Sequence, residues 1–99
     1  MTPSFRIAFR EWFGLAPSEA AVLIELYVAK GDAVTQTALA SASGIALRSV
    51  QNCIVTLRLA LDSEAIDYER SSGYRLTDAG LAECRAALWT VGEELRGAA

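Results

Sequence analysis

Apolar residues recur at helical spacing over the first two thirds of the chain, which predicts four helices there. The first covers about residues 4–13. Its aromatic stripe has the spacing i, i+4, i+7 and i+8 and consists of Phe5, Phe9, Trp12 and Phe13. Proline suits the first position of a helix, so the second helix is expected to begin at Pro17, with Gly31 as a left-handed cap after it. Thr35 can cap a third helix that runs through Ala42. The fourth follows the break at Ser43-Gly44-Ile45, and its apolar stripe is Val50, Ile54, Leu57 and Leu61.

The period of the pattern changes after the fourth helix. Ile66 and Tyr68 alternate with charged residues, which is strand spacing with one face buried. Ser71-Ser72-Gly73 supplies a hairpin turn, after which the alternation returns, and Thr77 can cap a last helix over about residues 78–96. A third short strand is expected at residues 33–34. The predicted fold class is mainly α with a small β-hairpin, in one domain over residues 1–99.

The residue types present argue against an enzyme and against a metal site. The 99 residues contain no histidine, so His-dependent nucleophiles, imidazole acid–base catalysis and His metal ligands are excluded. Lys30 is the only lysine, and the sequence has no glycine-rich nucleotide loop. The acidic group at Asp62, Glu64, Asp67 and Glu69 lacks the glycine and the terminal glutamate of a calcium loop, which favours a solvated segment. No cofactor is expected.

The chain is expected to be cytoplasmic and to have no membrane partner. The longest apolar run, from Ala20 to Ile24, is far shorter than the ~20 residues that span a bilayer. Charged residues interrupt the apolar N-terminal stretch, so no secretory signal is predicted. The two cysteines, Cys53 and Cys84, fall on apolar helix faces and are interpreted as buried small residues, with a redox switch as the alternative.

The order of the elements points to a function. Two helices joined by a glycine-containing turn and followed by a hairpin form the layout of a winged helix-turn-helix. In that layout one helix enters the major groove of duplex DNA and the preceding helix supports it. The helix that enters the groove is the second of this pair and the fourth in the chain. Its outward face must carry hydrogen-bonding groups, which are available at Arg48, Ser49, Gln51, Asn52, Thr56 and Arg58. The alternative is that these polar residues only solvate a helix face.

Several segments resemble known bacterial transcription regulators. TQTALASASGIALRSVQNCIVTLR resembles their helix-turn-helix, and IDYERSSGYRLTDAGL resembles their wing. LAPSEAAVLIELYVAKGDAVTQTAL is similar to the opening of OmpR/PhoB-type DNA-binding domains, whereas YRLTDAGLAECRAAL is similar to MarR-type regulators, in which a helix follows the wing. The resemblance covers about residues 15 to 90.

The resemblance implies roles for particular residues. Ala46 and Val55 would face the groove, and the implied base contacts are Leu47, Arg48, Gln51 and Asn52. The implied contacts to the DNA backbone are Thr35, Gln36, Thr37, Ser49 and Arg58. The implied wing residues are Arg70, Ser71, Ser72 and Arg75. Paired hydrogen bonds from arginine to guanine and from Asn or Gln to adenine discriminate by ~1–3 kcal/mol each.

The charge distribution and the apolar terminal helices indicate that the chain associates with a second copy. The net charge is −3, but residues 35–61 carry two arginines and no acid, so that segment is +2 and the remainder is −5. So few positive charges favour either a homodimer, which doubles the contacts, or a weak, salt-sensitive binder. The expected dimerisation residues lie on the two terminal helices: Phe5, Phe9, Trp12, Leu81, Cys84, Leu88, Trp89, Val91 and Leu95. The alternative is that these helices pack on their own domain.

The sequence therefore predicts a sequence-specific double-stranded DNA-binding transcription regulator that acts as a homodimer. A second hypothesis is a protein-interaction module that docks another regulator or RNA polymerase through a winged-helix scaffold. A third, mimicry of DNA, follows from the acidic balance alone.

Overall fold

The computed structural model describes residues 4–98, with side chains described up to residue 93. The fold class predicted from the sequence is confirmed: within residues 4–98, five helices accompany a two-stranded antiparallel hairpin in a small winged helix-like arrangement. The elements in chain order are α1 Phe5–Phe13, α2 Pro17–Val28, α3 Gln36–Ser43, α4 Leu47–Ala60, β1 Ile66–Glu69, β2 Gly73–Leu76 and α5 Asp78–Ala98. Among the described residues, no helix is both long enough and apolar enough to cross a bilayer.

Local capping explains where most of the helices begin and end. The Ser4 hydroxyl accepts from the Ile7 N–H at 3.2 Å, and the Thr35 hydroxyl accepts from the Ala38 N–H at 3.1 Å. Gly44 ends α3 in the left-handed conformation, with φ +70°. α2 ends differently from the prediction, because Lys30, with φ +55°, becomes left-handed before Gly31 does.

The N-terminus of α4, like that of α2 after Ala16, has no side-chain hydrogen bond from the residue that precedes the helix. Ala46 precedes the helix with φ −65° and ψ 146°, the same backbone conformation as Ser4 before α1, but its methyl side chain accepts no hydrogen bond. We therefore expect Ala46→Ser to raise the free energy of unfolding by about 1 kcal/mol, because the new hydroxyl can accept from a free N–H in the first turn. Urea denaturation measures the change, and Thr35→Ala is the reverse control with an expected loss of about 1 kcal/mol. Equal stability of wild type and Ala46→Ser would contradict the assigned geometry.

The hydrophobic core surrounds α2, which packs against α1, α3, α4 and β2. The predicted α4 stripe is confirmed, since its members are at most 5 % exposed. α1 adds an aromatic cluster in which Phe9 is fully buried and its ring lies 5.7 Å from that of Tyr27, edge to face. Burial of this kind is the main stabilising contribution in a domain of this size.

The hairpin pairs Ile66 with Leu76 and Glu69 with Gly73. The short strand expected at residues 33–34 appears as a single bridge, in which the Val34 N–H donates to the Tyr74 carbonyl at 2.7 Å and the Tyr74 N–H donates back at 2.9 Å. The expectation that Tyr68 is buried with Ile66 is wrong. Tyr68 is 54 % exposed, and its ring lies against that of Tyr74 at 4.8 Å. β2 lies between Val34 and β1, and it is buried at Gly73, Tyr74 and Leu76. β1 is therefore the outer strand, and its residues after Ile66 stay in solvent.

The two terminal helices pack against each other within the chain, and α1 also packs against α2. α1 lies against α5, and four of the residues expected at a dimer interface are buried in this single copy, namely Phe9, Leu81, Cys84 and Val91. Phe5 and Leu88 are partly buried against the same core. The alternative in which these helices cover their own domain is therefore what the monomer shows. Trp12 and Trp89 stay 47 % and 67 % exposed, and the Leu95 side chain lies outside the described residues.

Candidate nucleic-acid interface

The helix α4 has a buried face and an exposed face, as an amphipathic helix should. The exposed face carries a row of side chains that we call the α4 ridge, defined as Leu47, Arg48, Gln51, Asn52, Val55 and Leu59. All six are exposed, whereas the opposite face is inside the core. At 1.5 Å per residue, the ridge extends about 18 Å from Leu47 to Leu59. For comparison, the major groove of B-DNA is about 12 Å wide and admits one α-helix.

The polar part of the ridge lies in its N-terminal half. Arg48, Gln51 and Asn52 are exposed and make no hydrogen bond or ion pair with the rest of the described chain. Their donors and acceptors are therefore available to a ligand. The structure thus brings together on one surface the three polar residues that the resemblance assigned to base contacts, along with Leu47.

The predicted backbone contacts are only partly available. The Arg58 guanidinium donates to the Ile66 carbonyl at 3.4 Å and is half-buried, so it ties α4 to the hairpin. The Gln36 side-chain amide donates to the Leu47 carbonyl at 3.0 Å, which fixes α3 against the start of α4. Thr35 uses its hydroxyl as the cap of α3. In the structure these three side chains position the helices, while Thr37 is exposed and Ser49 is partly so.

The hairpin presents its turn, residues 70–72, as the tip of the wing. Arg70 and Ser71 are exposed there, Ser72 is partly exposed, and Arg70 has no ion pair with a described residue. Arg75, which was grouped with them, faces Asp67 across the strands and pairs with it at 2.9 Å. An exposed pair of this kind stabilises little, but it neutralises the positive charge of Arg75. Arg70 is therefore the available cation of the wing.

The ridge also contains apolar residues. Leu47, Val55 and Leu59 are 49 %, 57 % and 82 % exposed. Leu59 was not among the residues predicted from the sequence to face the groove. It nevertheless falls outside the buried stripe and follows Val55 by one helical turn, which places it on the exposed face. The surface is thus mixed, with polar groups in its first half and apolar groups towards its end.

Both cysteine thiols lie away from this surface and are buried as predicted. Burial raises the pKa of the Cys53 thiol, and it raises that of Cys84 to about 12, with the neighbouring Glu83 charge adding to the effect. A thiolate is the reactive form, so neither side chain has the properties of a redox switch. Within the described residues, no group of acidic and cysteine side chains could hold a metal ion.

The raised pKa of Cys84 predicts a loss of stability in alkali. Between the ordinary thiol pKa of 9.0 and the folded value of about 12, the unfolded chain loses this proton and the folded chain keeps it. The free energy of unfolding should therefore fall by about 1.4 kcal/mol per pH unit above pH 9 and be unaffected by this thiol below it. Denaturation of wild type and Cys84→Ala at pH 8 and pH 10.5 isolates the effect, with an extra loss of about 2 kcal/mol expected in wild type. Parallel pH curves for the two proteins would contradict this assignment.

Comparisons with protein-family models, curated proteins and solved structures found no match to this chain. The likeness of its helix-turn-helix and wing sequences to bacterial regulators therefore stays a prediction.

Proposed function

We propose that this chain binds duplex DNA by inserting the α4 ridge into the major groove, and that it regulates transcription in the cytoplasm. One observation carries the proposal: Arg48, Gln51 and Asn52 lie together on the exposed face of α4 with their polar groups unpaired. A helix that exposes such groups near its N-terminal end is the arrangement by which helix-turn-helix proteins contact base edges.

The surroundings of the ridge support the same function. Residues 33–61, which include α3 and α4, contain no acidic residue, so this part of the surface does not repel phosphate as the rest of the chain does. The first turn of α4 has no side-chain cap, and the positive end of a helix dipole favours a nearby anion. Arg70 at the wing tip supplies a second exposed cation in addition to Arg48.

The small number of available cations determines how steeply binding should depend on salt concentration. With Arg48 and Arg70 as phosphate or base contacts, log K should fall by about 2 per tenfold rise in salt for one copy. Two copies on one duplex would double this slope. Trp12 and Trp89 are the exposed aromatic residues of the terminal helices through which such a homodimer could form. Light scattering with and without DNA counts the copies.

The test is a gel-shift titration against a pool of random duplexes over a range of salt concentrations. Arg48→Ala should weaken binding about tenfold at low salt and reduce the salt slope by about 1. The matched control is Arg10→Ala, which removes the same charge from the exposed side of α1. Equal loss in both variants would indicate a general charge effect, and no binding by the wild type at low salt would refute the proposal.

A second function, docking of another regulator or of RNA polymerase, is favoured by the apolar half of the ridge. Val55 and Leu59 together form an exposed apolar surface of a kind that protein partners bury. The variant Leu59→Ser distinguishes the two functions. If the ridge reads DNA with its N-terminal residues, this variant keeps its DNA affinity within about twofold, whereas loss of a co-purified protein partner would favour docking.

A further inference from the structure

A cavity of about 480 Å³ lies between α1, the end of α2 and the first turns of α5. Its lining residues are Phe5, Tyr27, Val28, Lys30, Leu81 and Arg85. None of them belongs to the α4 ridge, so the cavity is a separate feature of the molecule. Its volume lies at the lower end of the range of small-molecule sites, about 300–1,000 Å³.

The inner walls of the cavity are apolar and well packed. The rings of Phe5 and Tyr27 meet edge to face at 5.4 Å. Leu81 is 9 % exposed and belongs to the core. The turn after α2 lies close to this wall, because a Cβ on Gly31 would be 3.6 Å from the Leu81 Cδ1 atom. These contacts fix the shape of the walls, whereas Val28 on the outer side remains exposed.

The charged groups of the lining are both cations. Lys30 and Arg85 are exposed, and neither makes an ion pair or side-chain hydrogen bond with a described residue. No acidic side chain is among the lining residues of this cavity. This is unusual in a chain whose net charge is −3. Lys30 also has a left-handed backbone, at φ +55°, which is unfavourable for a residue with a side chain and places this cation at the turn beside the cavity.

We propose that this cavity binds a small amphipathic carboxylate, with an apolar body between Phe5, Tyr27 and Leu81 and its carboxylate beside Arg85 and Lys30. An apolar site with a few convergent polar groups is the usual form of a small-molecule site. The guanidinium matches a carboxylate through two parallel hydrogen bonds, and the ammonium adds a second positive charge. This inference does not depend on DNA binding by α4.

Titration calorimetry of the full chain at low ionic strength tests the class of ligand. The probes are octanoate and 4-phenylbutyrate, with octanamide as the uncharged match and octylamine as the cationic one. We expect at least one of the two acids to bind with one site per chain, octanamide to bind at least tenfold more weakly than the acid that binds, and octylamine not to bind. Failure of both acids to bind at millimolar concentration, or equal affinity for octanoate and octanamide, overturns the proposal.

Two variants locate the site. Arg85→Gln should weaken binding of the acid about tenfold, because the charge-assisted hydrogen bonds are lost. Arg10→Gln removes the same charge from α1 outside the cavity lining and should leave the affinity unchanged. Val28→Phe narrows the opening without replacing a buried residue and should lower the affinity for both acids. Unchanged binding in Arg85→Gln and Val28→Phe would place the ligand elsewhere and contradict the assignment.

Discussion

Replacing Gly73 with alanine should lower the free energy of unfolding by about 3 kcal/mol, a large part of the roughly 5–15 kcal/mol typical of a domain this size. Two causes add. Gly73 has φ +105°, a conformation that side-chain-bearing residues rarely adopt, and an added Cβ would overlap the Val34 carbonyl and approach the Thr35 Cα to 2.7 Å. Both obstacles are backbone, so no side-chain rotation relieves the overlap. Urea denaturation followed by circular dichroism measures the loss.

Gly44→Ala is the matched control for Gly73→Ala. Gly44 has a similarly left-handed φ of +70°, but an added Cβ there would meet no atom within 4 Å. Only backbone strain remains, and the expected loss is about 1 kcal/mol. Equal losses in the two variants would mean that the close approach of the hairpin to residues 34 and 35 does not exist in solution. That approach fixes the hairpin relative to the start of α3.

Phe9→Ala should destabilise the protein by about 3–5 kcal/mol, the usual range for a large buried aromatic residue. Phe9 is fully buried, and three rings surround it, with centroids 6.1 Å away for Phe5 and Phe13 and 5.7 Å away for Tyr27. Deleting its ring leaves a cavity that neighbours on two helices cannot close. Thermal and urea denaturation both report the effect.

The control on the same helix is Trp12→Ala. Because Trp12 is 47 % exposed, its removal should cost about 1 kcal/mol. Comparing Phe9→Ala with Trp12→Ala also shows whether α1 is stabilised by its own chain or by a second copy. If α1 belongs to the core of one chain, the unfolding midpoint of wild type and Phe9→Ala does not depend on protein concentration. A midpoint that rises with concentration, together with a small effect of Phe9→Ala on the monomer, would show that α1 is stabilised by a second copy.

The sequence predicted the elements well because their signals are local. Thr35 and Gly44 act within one turn of their own position, and the period of the α4 stripe determines which face is buried. Tyr68 was placed wrongly, since alternation shows that one strand face is inward but not how much of the strand the domain covers. The terminal helices were ambiguous for a similar reason. An apolar stripe is the same whether its partner is a helix of its own chain or of another copy.

The candidate interface was predictable only where it is contained in one helix. The α4 ridge follows from helical periodicity, so Arg48, Gln51 and Asn52 were assigned to the exposed face correctly. Arg58 looked like a phosphate contact because nothing in the sequence shows that its guanidinium reaches the Ile66 carbonyl. The cavity beside Arg85 had no sequence signal at all, because its lining comes from three helices that only the tertiary fold brings together.

Amide chemical-shift mapping with duplex DNA shows whether α4 is the helix that enters the groove. Uniformly ¹⁵N-labelled protein is titrated with a short duplex at low salt, and each backbone amide reports its own contact. Insertion of the α4 ridge predicts that the largest shifts fall on residues 47–55, with a second group at residues 70–72 and small changes over residues 5–13. Shifts concentrated on α1 and α5, or no change anywhere along α4 at saturating DNA, would contradict it.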